Sequence, residues 1–227
     1  MRALSGATVL VAAIPLVFPA GLPGQSATAA IRYGEPVRLP VAEEIALARS
    51  AAPSAVSADA TVLVLEDGAK RWVTAVEGTN GSTCWVSRSW EESLEPHCFD
   101  PEGSRTILPM HVARAEMSFA GATKEEVDRA IEAGVAEGRY RYPSRPAMSY
   151  MLSAGQVLVN DDGKTVGPWK PHLMLYWPGL TKADLGAAGE GPAIDASVIL
   201  VDEGTDEACL VVVVPDFVAP AAVAAAE

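Results

Sequence analysis

Apolar and polar positions divide the chain into segments of distinct character. Residues 7–18 form an uncharged apolar run that follows one positive charge at Arg2 and precedes the small-residue triplet Ala27-Thr28-Ala29. This order predicts an export signal over residues 1–29, since the run is shorter than the roughly 20 apolar residues that span a bilayer. Residues 30–60 then read as a leader and a first helix. Pro36 and Pro40 hold the leader extended, Pro40 suits a helix start ahead of Ile45, and Pro53 ends the element. Residues 52–60 have the composition of a linker.

Residues 61–65 are a β-branched and aliphatic run closed by Asp67-Gly68, and residues 71–76 repeat the pattern, which predicts a hairpin. Asn80-Gly81 predicts a type I′ turn into a third strand over residues 82–87, completing a three-strand antiparallel meander. The two-residue period puts Cys84 and Val86 on one face, and Thr83, Trp85 and Ser87 on the other. Residues 90–109 lack periodicity and hold Pro96, Pro101, Gly103 and Pro109, so a long loop is expected there. Residues 110–119 read as helix up to Gly121. Thr123-Lys124-Glu125-Glu126 is a capping box opening an amphipathic helix with the stripe Val127, Ala130, Ile131 and Val135, stopped by Gly138.

Further strands are expected at residues 148–152, 156–159, 173–177, 197–201 and 208–214, with turns at Asp161-Asp162-Gly163 and Glu203-Gly204 and at most one helical turn at 181–185. An Ala-rich tail over residues 216–227 is expected to be disordered. Strands set apart from a helical block predict an α+β fold. The expectation is one domain over residues 61–215, a largely antiparallel sheet with two to three helices packed on one side.

Charge and cysteine content change this picture in two ways. The net charge is −12, with 17 basic against 29 acidic residues and no basic run, which argues against a nucleic-acid partner. The acidic balance is accounted for by solubility. In the oxidising compartment that an export signal implies, Cys84 and Cys98 are the expected disulfide, worth about 3 kcal/mol in the chain-entropy model and pinning the 90–109 loop to the sheet. Cys209 is then left over in an aliphatic run, where a thiol behaves as a small buried hydrophobe.

The candidate chemistry is sparse. The three histidines, His97, His111 and His172, supply a facial metal site if they converge, with Asp100 or Glu102 as carboxylate ligand or general base; no helical spacing in the sequence brings them together. The plainer reading makes them a loop, a helix-start and a strand residue. Residues 95–103 gather Glu95, His97, Asp100 and Glu102 beside the expected disulfide and offer a cation loop, although Asp100-Pro101-Glu102-Gly103 suits a type I turn better. Ser149 has Tyr150 and Lys170 as its only local base candidates, and Leu152 stands where a Ser-x-x-Lys motif needs lysine. In residues 169–178, His172, Met174 and Tyr176 share one strand face and Leu173, Leu175 and Trp177 the other, so the first face is mixed and the second is core-like. With Arg88, Arg145 and Tyr150, the mixed face fits an anionic or aromatic small molecule. The alternative is a face covered by helices with Met174 as filler.

The runs Gly78-Thr79-Asn80-Gly81-Ser82-Thr83-Cys84-Trp85-Val86-Ser87-Arg88-Ser89-Trp90, Glu95-Pro96-His97-Cys98, Arg145-Pro146-Ala147-Met148-Ser149-Tyr150-Met151 and Pro171-His172-Leu173-Met174-Leu175-Tyr176 resemble those of uncharacterised exported bacterial proteins. The resemblance runs roughly from Val37 to Pro215. It implies a single domain in a secreted or periplasmic location and brings no activity. The reading that follows is a non-enzymatic exported domain without cofactor, binding a small ligand or envelope component at Arg88, His97, Arg145, Tyr150, His172 and Tyr176. The alternatives are a metal-dependent hydrolase using His97, His111 and His172 with Asp100, and a structural or interaction module.

Overall fold

The computed structural model describes residues 34–89, 92–157, 170–195 and 197–214. The expected signal at 1–29, the tail at 216–227, the turn at Asp161 to Gly163 and part of the 156–159 strand lie outside these residues. No helix among the described residues is long and apolar enough to cross a membrane.

Pro40 stands immediately before helix α1 (Val41–Arg49), whose first turn carries Glu43 and Glu44 and whose last turn carries Arg49, the polarity that the helix dipole favours. Pro53 precedes a single-turn helix α2 (Ser54–Ser57) inside the expected linker. Four strands come next: β1 (Thr61–Leu65), β2 (Trp72–Val76), β3 (Thr83–Ser87) and β4 (Glu95–Phe99). Helices α3 (Pro101–Arg105), α4 (Ile107–Phe119) and α5 (Lys124–Ala136) separate these from β5 (Ala147–Met151), β6 (His172–Tyr176), β7 (Val198–Val201) and β8 (Cys209–Val213). A 3₁₀ turn at Ala183–Leu185 occupies the expected helical turn. The capping box forms as read: the Glu126 amide donates to Thr123 Oγ1 at 3.2 Å and the Thr123 amide to Glu126 Oε2 at 2.8 Å.

All eight strands join one sheet in the order β2-β1-β3-β4-β5-β6-β8-β7. Every pair is antiparallel except β1–β3, so the fold is α+β with a mostly antiparallel sheet. The hairpin β1–β2 forms, but the expected meander does not, because β3 pairs with the far edge of β1, in parallel, instead of with β2. Two local features redirect the chain. Gly78 passes so close to the backbone of Asp59 to Thr61 that a Cβ would lie 2.1 Å from the Thr61 amide nitrogen. Asn80, meanwhile, spends its side chain on the Val56 carbonyl (2.7 Å) and the Ser82 amide (2.9 Å) rather than in a tight hairpin turn. The chain therefore crosses the start of β1 and enters the sheet on its other side.

The expected loop at 90–109 is a second correction, since it contains β4, α3 and the first turn of α4. Pro96 concealed the strand, because proline withholds a ladder donor. Here β4–β5 pairing ends at Cys98↔Tyr150, and the chain beyond β5 turns away, with the Leu152 amide bonding Ala51 O at 2.9 Å, so the missing donor costs no ladder bond on that side. Asp100-Pro101-Glu102-Gly103 is not an isolated turn. Asp100 caps α3, its Oδ1 accepting the Gly103 amide at 2.7 Å, with Pro101 at the first helical position. Cys84 and Cys98 are at disulfide distance as expected, but directly opposite on β3 and β4 with Cα atoms 4.0 Å apart, so the bond staples two strands instead of a loop.

The helices cover both faces of the sheet, not one. Strand alternation separates two cores: Leu65, Trp85, Phe99 and Tyr176 pack with α4 and α5 on one side, while Val62, Val64, Cys84, Val86 and Cys98 pack with Ala48 and Ala51 of the α1 region on the other. Joining the two sides is an ion pair. Arg88, at the end of β3, is 1% exposed and meets Glu44 of α1 at 3.2 Å; it also donates to Val86 O (2.7 Å) and Val37 O (3.1 Å). Glu44 in turn accepts the Leu65 amide at 3.2 Å. Burial raises the Glu44 carboxyl, opposed by the guanidinium beside it, and the same burial lowers Arg88 against the pull of Glu44.

Removing one charge leaves the other buried and uncompensated, so Arg88→Met should lower the unfolding free energy by about 3–5 kcal/mol. Urea denaturation of Arg88→Met, Glu44→Gln and the double variant measures this. The double variant is expected to lose less than the sum of the two single losses, and additive losses would show that the pair is not coupled.

Candidate functional site

Register assembles the site. β3–β4 pairing sets His97 opposite Trp85, β5–β6 pairing sets His172 opposite Met151, and β4 joins β5 at Cys98↔Tyr150 and Phe99↔Ser149. By alternation from the Phe99↔Ser149 pair, Trp85, His97, Met151, His172 and Val213 share one face of the sheet. One rung of that face is Phe99-Ser149-Met174-Val211. Above this face lies α4, where His111, Arg114, Ala115 and Ser118 follow the i, i+3, i+4, i+7 spacing of one helix face.

Between them is a cleft of about 420 Å³, bounded by Ser87, Arg88, Ser89, Glu95, His97, His111, Arg114, Ala115, Ser118, Met151, Gln156, His172, Met174 and Val211. This volume lies in the range of small-molecule sites. All three histidines of the chain line it.

The rings are held from below. His97 Nδ1 meets Ser149 Oγ at 3.1 Å, and the ring stacks on Phe99 with centroids 5.7 Å apart. His172 Nδ1 donates to Lys170 O at 2.8 Å, which fixes that tautomer. His111 descends from α4 onto the aromatic group, 6.4 Å from His97, 5.8 Å from Phe99 and 6.0 Å from Tyr176 by ring centroids. Ser149 is thus paired with histidine, not with Tyr150 or Lys170. It is fully buried beneath the ring and orients it instead of presenting a nucleophile to the cleft.

Burial dominates the electrostatics. It drives His97 well below the ordinary imidazole value, with His111 and His172 adding to the shift, and it lowers His111 to about 4 with help from Arg114. His172 is lowered by burial against its bond to Lys170 O. Desolvation also raises the Glu95 carboxyl, partly offset by hydrogen bonds from Ser89 and Ser93. The two cations at the cleft are already paired, Arg88 with Glu44 and Arg114 with Glu207. Gln156 donates to Met151 O (2.8 Å) and Ser153 O (3.1 Å), which leaves its buried Oε1 with no partner.

Of the residues expected from sequence, the cleft brings together Arg88, His97, His111 and His172, and Tyr176 supports it through His111 and through Met174, whose sulfur accepts the Tyr176 hydroxyl at 3.8 Å. Arg88 is spent on Glu44 and two carbonyls. Arg145 lies elsewhere, 3.4 Å from Glu102, and Tyr150 packs with the α1-side core. Asp100 is the α3 cap, and Glu102 is held by Arg105 at 3.0 Å. Among the described residues no three of His, Cys, Asp and Glu are placed to hold a metal ion. On β6 the face of His172, Met174 and Tyr176 lies under helices with Met174 packed in the core, as the helix-covered reading expected, but the face read as core-like is the more open one, with Leu173 and Leu175 partly exposed and Trp177 half exposed. The reason is reach, since α1 lies chiefly against β1, β3 and β4.

Sequence reasoning missed Arg114, Ser118, Met151 and Gln156, and it took Glu95 only as part of a cation loop over residues 95–103. The α4 face was readable from its spacing once the helix was placed, whereas Met151 and Glu95 required the strand register. The free thiol Cys209 is buried and pushed up to about 12, as a packed hydrophobe and not a nucleophile. The chain matches no protein-family model, no curated protein and no solved structure.

A histidine whose folded pKa is depressed binds fewer protons than in the unfolded chain between the two values, so stability is complete above the unfolded value and declines as pH falls. For His111 that window runs from 6.5 down to about 4. Melting temperature should therefore fall across it, and less steeply in His111→Gln. Identical slopes in the two proteins would contradict burial of a neutral ring.

Proposed function

We propose that the protein is an exported, non-enzymatic binding domain that takes a small ligand, free or part of an envelope component, into the cleft between α4 and the sheet. The observation that carries this reading is the convergence of every histidine in the chain on one largely apolar cavity, with polar groups held in fixed orientation by Ser149 and Lys170. Gln156 Oε1 supplies a buried acceptor that a ligand donor satisfies.

Offset charges narrow the ligand. Glu44 cancels Arg88, Glu207 cancels Arg114, the imidazoles are neutral at physiological pH and burial raises the Glu95 carboxyl against ionisation, so the cleft favours a ligand of little net charge over the anion expected from sequence. The export reading is supported by the apolar run at residues 7–18 and by a cysteine pair at disulfide distance, the usual arrangement outside a reducing cytosol. The likeness to uncharacterised exported bacterial proteins accords with it.

Thermal-shift titration of the purified protein against a small-molecule library tests the reading. At a concentration 100 times Kd, a ligand stabilises by about 2.7 kcal/mol, a rise in Tm of roughly 5–10 °C for a domain of this size. Ala115→Phe, which fills the cleft from α4, should abolish the rise while leaving the unliganded protein folded. A library without a single stabilising compound, or hits indifferent to Ala115→Phe, would count against the cleft as the binding site.

A further inference from the structure

We infer that Gln156 sets the specificity of the cleft, and that the ligand is an uncharged aromatic molecule presenting an N–H or O–H donor at its edge, as an indole or a phenol does. The inference rests on the reading of the cleft as a binding site and names the ligand class.

Among the described residues three buried side-chain atoms lack a hydrogen-bond partner: Arg49 Nε, Trp85 Nε1 and Gln156 Oε1. Of these residues Gln156 alone lines the cleft, where it is 4% exposed. Its amide hydrogens go to Met151 O and Ser153 O, which settles the end of the amide that accepts, since turned over it would set Oε1 against two carbonyls. The backbone around it is fixed as well. Val157 and Leu94 exchange backbone bonds of 2.8 Å each, the Gly155 amide donates to Ser153 Oγ at 3.1 Å, and Ser153 Oγ meets Ser50 Oγ at 2.6 Å. Gln156 therefore offers an acceptor held in place before a ligand arrives.

Charged side chains at the wall are already engaged, Arg88 by Glu44, Arg114 by Glu207 and Glu95 by Ser89, so polar recognition falls to this uncharged amide. The body of the ligand meets Met151, Met174, Val211 and Ala115. Thioether sulfur favours the edges of aromatic rings. Rings in this part of the molecule also pack edge-on: His111 stands at 76° to His97, 78° to Phe99 and 85° to Tyr176. A flat ring with a donor at its rim thus suits both the apolar wall and the acceptor. Methylating that donor would leave Oε1 without a partner and press a methyl group against it, the discrimination that a site built around a hydrogen bond imposes.

The test titrates matched probes, indole against N-methylindole and phenol against anisole, into the isotope-labelled full chain and follows binding by nuclear magnetic resonance. Indole and phenol should bind about tenfold or more tightly than their methylated counterparts and shift the side-chain amide signals of Gln156. Gln156→Leu removes the acceptor, so the preference within each pair should disappear, a ratio that general loosening of the fold would not change. Gln156→Met keeps the length of the side chain and reads the same ratio if the leucine variant unfolds. Ala115→Phe should abolish binding of every probe. Equal affinity within a pair that binds, a preference that survives in Gln156→Leu and Gln156→Met, or failure of both indole and phenol to bind would each overturn the inference. If it is overturned while another compound still stabilises the protein in a way Ala115→Phe removes, the assignment to Gln156 fails alone and the binding function stands; if no compound binds, both fail.

Discussion

The site depends on one constraint, the antiparallel register of β4, β5 and β6. Side chains alternate faces along a strand, so a slip of one residue in either pairing would send His97 or His172 to the opposite face and dissolve the cluster. Several features outside the site fix that register. The Cys84–Cys98 staple sets β3 against β4, the Asp100 cap and α3 begin directly after β4, and five consecutive pairs from Ala147↔Tyr176 to Met151↔His172 set β5 against β6. The disulfide faces α1 and the imidazoles face α4, so covalent and chemical functions occupy opposite sides of the same strand.

Burial on both faces explains the electrostatics. α1 closes one face over β1, β3 and β4 and buries Glu44 against Arg88, while α4 and α5 close much of the other and bury the imidazoles. Ionisable groups kept at the boundary are consequently paired or neutral. Glu44 and Arg88 are paired, Glu207 serves both Arg114 and the Tyr142 hydroxyl, and the imidazoles give up their charge.

Local chemistry made much of the fold readable from the chain. The Thr123–Glu126 box, the β1–β2 hairpin, the α1 boundaries and the alternation of Cys84, Trp85 and Val86 all follow from neighbouring residues. What misled were signals whose meaning is set by distant partners. Asn80-Gly81 is a hairpin signal, yet Asn80 is claimed by Val56, and the close passage of Gly78 over β1 decides the topology. Pro96 spoke against a strand until its place beyond the last β4–β5 pair was known. In the site, the histidines were candidates from rarity and chemistry alone, but Met151, Glu95 and Gln156 could join them only through the ladder and the cleft. Arg145 and Tyr150 were reasonable candidates by residue type and were assigned elsewhere by packing.

The convergence of the three imidazoles is the central claim, and nuclear magnetic resonance of the histidine rings tests it most directly. Long-range proton–nitrogen correlation at pH 7 should show three neutral rings, with nuclear Overhauser contacts linking His111 to His97, Phe99 and Tyr176, and replacement of His111 should shift the ring signals of His97. Three independent rings, each titrating at an ordinary imidazole pKa without contact to the others, would contradict the account.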